Sequence, residues 1–308
     1  MSRTNKALVT PAGLSSFAKL KAAAAKAGRP ADQITHRFAL EGAIRRIFES
    51  EHADRFGMTS SLKGGAIMFF SEGVEPMMGR HTTDVDIQIS GFDGTLDDFA
   101  DIMREVLASV PATDDGVRFD LDTLKVLGTR ETGIPGGAIV CQAQIGTAIF
   151  KFKCDVGFYD ESLKESLVAV DLPSLLPGMP PIRILRQPVE YSIADKVHAA
   201  VRHAGTNTRL RDFYDLYVYV TRCPINQDRL RHAFEHTFAL FGDELPDGVE
   251  DIITYGPDFV AANADQWRSV RDSSRWAVQV PDLAEVVEVI KQGIAPVLGA
   301  GSLHRPAA

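Results

Sequence analysis

Apolar residues recur along this chain with two different periods, and the changes between them divide it. Near the start, LSSFAKLKAAAAKAG is rich in Ala and Lys and closes at Gly28, and Phe38, Leu40, Ala43, Ile44 and Ile47 then follow at helical spacing. Two helices are predicted, packed on a core and otherwise solvated, rather than a functional arm. SSLKGGAIMFF reads as a short strand or turn leading into a helix broken at Gly64 and Gly65. In GRHTTDVDIQI the period becomes two. Val85, Ile87 and Ile89 face one side of a strand, and Asp84, Asp86 and Gln88 face the other. Residues 95–110 return to helical spacing, with Leu96, Phe99, Ile102, Met103, Val106 and Leu107 on one stripe. Three further strands are expected around Phe119 to Leu127, Ala138 to Ile145 and Ala148 to Phe158, with IPGG as a hairpin turn.

These elements make a mixed sheet flanked by helices. The Pro-rich run DLPSLLPGMPPI, residues 171–182, reads as a linker, and helical periodicity follows over residues 189–204, 208–222, 227–242 and 281–297. The expected fold class is α+β. N-terminal helices span residues 1–50, a sheet domain 51–180, a helical domain 181–300 and a frayed tail 301–308.

Composition agrees with an ordered protein: 308 residues, 45% hydrophobic and 24% charged, give ample core for one large or two modest domains. No run approaches the ~18 consecutive apolar residues of a membrane span, and the start MSRTNKALVT lacks the apolar core of a signal peptide. A cytoplasmic protein without a membrane partner is expected. Cys141, Cys154 and Cys223 are widely spaced and odd in number, so they read as small hydrophobes. The net charge of −8 excludes a protein that is basic all over, but residues 1–46 carry +7 and residues 183–211 carry +4, leaving −19 elsewhere. A polyanion could bind at those two segments.

The candidate chemistry lies on the alternating strand. Two Asp residues at i and i+2 share a face about 6 to 7 Å apart, close enough to bridge magnesium ions ~4 Å from each other. Gly65 stands 19 residues before Asp84, and with Gly64 it opens a helix whose bare N–H groups can meet phosphate. Nucleotide transfer needs both features, cations on a triphosphate and backbone close to it. A third carboxylate is expected on a neighbouring strand. Asp155 in IFKFKCDVGF fits, since alternation sets it with Lys151 and Lys153 and opposite Phe150, Phe152 and Cys154. The plain alternative is a strand-end Asp paired with a lysine.

LKGGAIMFF, GRHTTDVDIQI, KCDVGFYD and VEYSIADKVHAAVRHAGTNTRLRDFYDLY together resemble the AbiEii/AbiGii toxin family, nucleotidyltransferase-like proteins of bacterial abortive-infection and toxin–antitoxin loci. The resemblance runs from about residue 35 to about residue 222 and more weakly through TYGPDFV. It implies a polymerase-β-like nucleotidyltransferase domain followed by a helical domain, with the cleft between them. It implies Mg2+ or Mn2+ held by Asp84, Asp86 and Asp155, although Asp155 could equally take the acceptor proton. Gly64 and Gly65 match the family's phosphate-facing turn, Arg80 and Thr82 its polar lead-in, Lys196 an NTP-contacting lysine, and Asp212 and Asp215 its last acidic motif. Many nucleotidyltransferases have Gly-Ser where this chain has Gly-Gly, so one hydroxyl contact to phosphate is missing. The implied reaction moves a nucleotide from an NTP to an RNA 3′ end, such as that of tRNA, which would block translation. A cognate antitoxin is implied by the resemblance alone.

Residues of the second domain can be read directly too. Val189, Ile193, Val197, Ala200 and Val201 form a buried stripe with Lys196 at its edge, where a snorkelling lysine is the bland reading. Arg211 and Asp215 stand at i and i+4 as an expected surface ion pair, which leaves Asp212 as the functional acid. Arg202 and Arg209 flank Lys196 as candidate RNA contacts. HAFEH, residues 232–236, matches a zinc-peptidase pattern, but the wheel puts His232, Glu235 and His236 on the solvated side, where a catalytic zinc has no cleft. Modification of a protein hydroxyl and a non-catalytic nucleotide- or RNA-binding module remain the alternatives.

Overall fold

Val85, Ile87 and Ile89 are wholly buried, and the strand they define, β2 (Val85–Ser90), is the middle one of seven in a single mixed sheet. The computed structural model describes residues 5–51, 58–64, 82–128, 134–159, 166–204, 209–273 and 279–298. On one side β2 pairs antiparallel with β1 (Thr59–Lys63), and on the other it pairs parallel with β5 (Ala148–Tyr159). Beyond β5, antiparallel pairing adds β4 (Gly136–Ile145) and then β3 (Val117–Gly128). Beyond β1 lie β7 (Ile182–Arg186), parallel to it, and β6 (Val168–Leu172). Among the described residues the first unit ends at Gln187 and the second begins at Pro188.

Two of these strands correct the linker reading. Val168, Val170 and Leu172, then Ile182 and Ile184, alternate with polar neighbours, but the runs are only five residues each and the prolines between them mask the period. Gly136 and Gly137, read as part of a turn, belong to β4. At Gly136 a side chain would meet the Val156 carbonyl oxygen at 2.0 Å, so only glycine lets the strands approach there.

Among the described residues three α-helices complete the first unit. Thr10 accepts from the Gly13 amide at 3.0 Å to start α1 (Pro11–Lys26), with Pro11 at its first position. A reciprocal cap between Thr95 and Asp98 starts α3 (Leu96–Ala108), whose Phe99, Ile102, Met103, Val106 and Leu107 are buried as their spacing predicts.

The helix α2 (Ala31–Glu49) is more deeply buried than a solvated pair requires. It packs on β4, β5, β7 and α3 and takes Arg37, Glu41, Arg45 and Arg46 into the core with Phe38, Leu40, Ala43 and Ile44. Buried charge is tolerated only when paired. The Arg46 guanidinium meets Asp115 at 2.7 and 3.1 Å and donates to the carbonyls of Gly42, Ser109 and Val117. Arg37, Arg45 and Arg46 of the basic N-terminal segment are therefore not on the surface.

Glu41 accepts from the Leu175 amide at 2.9 Å and from the Ser174 hydroxyl. Burial pushes its carboxyl up from 4.5 to about 7, against those hydrogen bonds and the nearby Arg45 and Arg37. The folded value lies above the unfolded one, so this contribution to stability is complete below pH 4.5 and is lost as pH rises to about 7. The expected loss is at most about 3 kcal/mol. Urea midpoints measured from pH 5 to 7.5 should fall with pH, and Glu41→Gln should flatten the slope; an identical slope in the variant would exclude Glu41 as its source.

The second unit contains α4 (Val189–His203), α5 (Leu210–Arg222), α6 (Gln227–Phe241), α7 (Pro257–Ser273) and α8 (Leu283–Leu298). Four of these match the periodic segments. The fifth, α7, escaped the periodicity because Phe259 and Trp267 are the only residues of its length in the buried core, although Pro257 marks its first position. No described helix is long and apolar enough to cross a membrane.

Candidate functional site

The sheet register brings two of the predicted acids, Asp86 and Asp155, side by side. Asp86 stands directly opposite Asp155 on the parallel neighbour β5 and opposite Lys63 on the antiparallel neighbour β1, so the three side chains form a row on one face. Asp84 immediately precedes β2, and the buried Thr82 hydroxyl donates to its Oδ1 at 2.9 Å. On the opposite face lies Cys154, wholly buried. Its thiol is pushed well above the ordinary range, first by burial and then by the carboxylates of Asp155, Asp86 and Asp84. The field of all three acids thus converges behind β2.

Gly64 closes the row at the end of β1. Its φ of +66° lies in the left-handed region, and a side chain built on it would meet Asp86 Oδ2 at 2.1 Å. Only a bare α-carbon leaves that carboxylate its place. Gly64→Ala should cost about 1 to 2 kcal/mol for the backbone conformation alone and should displace Asp86, so transfer should fall further than stability does. Retained activity in a folded Gly64→Ala protein would show that the close approach is incidental. Gly65 and Arg80 lie outside the described residues.

The plain alternative for Asp155, a pair with a lysine, is present: Lys153 Nζ lies 2.5 Å from Asp155 Oδ2. Lys63 is an addition to the predicted residues, and its Nζ donates to the Tyr159 hydroxyl at 2.7 Å and sits over that ring. Register is the missing signal: a lysine preceding Gly-Gly has no evident partner until β1 is paired with β2. The donor set around Asp86 consists of carboxylate oxygens beside a cradle kept open by glycine, which fits a hard divalent cation. Among the described residues no three His, Cys, Asp or Glu side chains yet converge as a finished metal centre.

A second group forms inside the helical unit. Lys196 on α4 meets Asp212 at 2.7 Å and Asp215 at 2.9 Å, both on α5. Asp215 is fully buried. The expected surface pair between Arg211 and Asp215 is therefore corrected: α5 is apolar around most of its circumference, which turns Asp215 inward to Lys196 while Arg211 stays exposed. Asp212, expected to lack a partner, has Lys196 and also Arg209 at 3.6 Å. Arg202 lies 3.6 Å from Asp243 and over the Phe241 ring. Tyr255 is buried close to this group, and burial followed by the Asp212 charge raises its hydroxyl. Of the HAFEH residues, His232 and Glu235 are exposed and His236 is half-buried against Tyr191.

The family model for the AbiEii nucleotidyl transferase toxins of type IV toxin–antitoxin systems matches residues 43–288. The chain belongs to that family. It is a nucleotidyltransferase, and the family implies an NTP substrate, a divalent metal and an antitoxin partner. Among solved structures it is similar to MenT4, a nucleotidyltransferase toxin of Mycobacterium tuberculosis, at 17% identity and a TM-score of 0.57, over 92% of this chain and 89% of that one. That likeness is one of fold. It also aligns with a Helicobacter pylori protein described as a nucleotidyltransferase, at 13% identity and a TM-score of 0.48, over 88% of this chain and 98% of that one. No curated protein matches the sequence significantly.

Proposed function

We propose that this toxin transfers a nucleoside monophosphate from an NTP to the 3′ end of an RNA, such as tRNA, in the cytoplasm. The observation that carries the site assignment is the in-register alignment of Asp86 with Asp155 beside a glycine whose missing side chain leaves room for the Asp86 carboxylate. Asp84 and Asp86, with Asp155, are the residues that would hold Mg2+ or Mn2+. When bound, such a cation neutralises triphosphate charge and makes the α-phosphorus more electrophilic.

The chain's own residues do the rest. Thr82 fixes the rotamer of Asp84 through its hydroxyl. Gly64, with Gly65 and Arg80 in the roles the family implies, leaves backbone open to the phosphates. The acceptor hydroxyl oxygen attacks the α-phosphorus in line, the bond to the β-phosphate oxygen breaks, and pyrophosphate leaves. The acceptor proton goes to Asp155 or to solvent. The family resemblance gives Lys196 the role of an NTP-contacting lysine, and its ammonium is held by Asp212 and Asp215.

RNA as acceptor rests on the basic segments, narrowed by burial. Arg37, Arg45 and Arg46 are inside, so the available charge of the N-terminal segment includes Lys6, Lys19, Lys21 and Lys26, all exposed. Arg202 and Arg209 each face an acid, and reversing Arg209 would also disturb Asp212. Changing Lys19, Lys21 and Lys26 together to Glu is the cleaner test. The protein is incubated with each α-labelled NTP, Mg2+ and either total RNA or total protein. Label should enter RNA, fall with added salt, and fall in the triple variant while NTP binding holds. Label in protein alone would replace RNA with a protein hydroxyl as the acceptor, and label in neither would favour a non-catalytic binding module.

A further inference from the structure

The face that carries Asp86 also carries an ion pair for which the reaction above has no use. Lys153 and Asp155 are two apart on β5, both about one-third exposed at 32% and 35%, with Nζ 2.5 Å from Oδ2. Since Asp155 is in register with Asp86, the Lys153 ammonium occupies one oxygen of the carboxylate that would be the third ligand of the site.

We propose that Lys153 is an internal counter-ion that holds Asp155 until a divalent cation displaces it, so that metal loading and release of the Lys153 ammonium are one exchange. The proposal rests on the reading that Asp84 and Asp86 hold the metal. A carboxylate oxygen bonded to an ammonium cannot coordinate a cation through the same lone pair, and the ammonium repels an incoming dication besides. Once displaced, the ammonium stays tethered by its four-carbon stem to the same face, where a triphosphate needs positive charge. Lys153 is therefore a positioning residue that acts through Asp155, and it makes Asp155 a ligand only when metal is present.

The test is a calorimetric titration of the full chain with Mn2+ in the absence of nucleotide. Lys153→Met keeps the length of the stem and removes the charge. It should bind Mn2+ about three- to fivefold more tightly than the wild type, the range a half-exposed pair allows. Lys153→Arg should bind as the wild type does, and the gain should vanish when Lys153→Met is combined with Asp155→Asn. Transfer activity of Lys153→Met should nevertheless fall, opposite in sign to the metal affinity, which a merely structural lysine would not produce. Unchanged or weaker Mn2+ binding by Lys153→Met, or a gain that persists without Asp155, would overturn the proposal. Asp86→Asn separates the two readings. If it binds Mn2+ like the wild type, the metal assignment itself fails. If it loses binding while Lys153→Met shows no gain, only the counter-ion role fails.

Discussion

Asp86→Ala should abolish nucleotide transfer, by about a thousandfold or more (~4 kcal/mol), while the melting temperature stays within a few degrees of the wild type. The side chain lies between Lys63 and Asp155 on the polar face of the sheet, so removing it takes away polar contacts and leaves the apolar core covered. It also vacates the space against the Gly64 α-carbon and opens no cavity in the apolar core beneath, which Val85, Ile87 and Ile89 fill from the other face. Activity and stability should therefore separate. Activity per folded molecule is measured with labelled NTP, and stability by thermal denaturation in EDTA. A loss of ~2 kcal/mol or more of stability with specific activity intact would make the acidic row structural.

Lys196→Met should behave in the opposite way, losing stability as well as function. Its ammonium is 11% exposed and neutralises Asp215, which is fully buried, and Asp212. Removing one partner of a buried ion pair costs about 3 to 5 kcal/mol because the remaining charge stays in a low-dielectric interior. Urea denaturation should show that loss, and adding Asp215→Asn should recover part of it. The consequence for mechanism is practical. Weakened NTP use by a Lys196 variant counts for nucleotide binding only if the KM rises in the fraction that remains folded. Stability within ~1 kcal/mol of the wild type would show that the pair with Asp215 is not what holds α4 to α5.

Periodicity by itself determined the strand that carries the acids, because a period of two with Val85, Ile87 and Ile89 on one side admits one arrangement of Asp84 and Asp86. It likewise determined α3 and four helices of the second unit, whose apolar stripes are long enough to be unambiguous. Local composition marked Gly64 as a turn, but that its bare α-carbon lies against the Asp86 carboxylate became visible only with β1 paired to β2. Five-residue strands were not legible: β6 and β7 carry too few alternations to stand out among prolines, and only pairing with β1 makes them strands. Nor was burial of charge. Arg37, Arg45, Arg46, Glu41 and Asp215 read as surface groups because partners such as Asp115, Ser174 and Lys196 lie far off in the chain, and a buried charge is stable only once the fold has delivered its counter-charge. The row of Lys63, Asp86 and Asp155 is of the same kind. The sequence names Asp86 and Asp155 on separate strands and nothing at Lys63, and hydrogen-bond register, a property of the assembled sheet, is what makes the three neighbours.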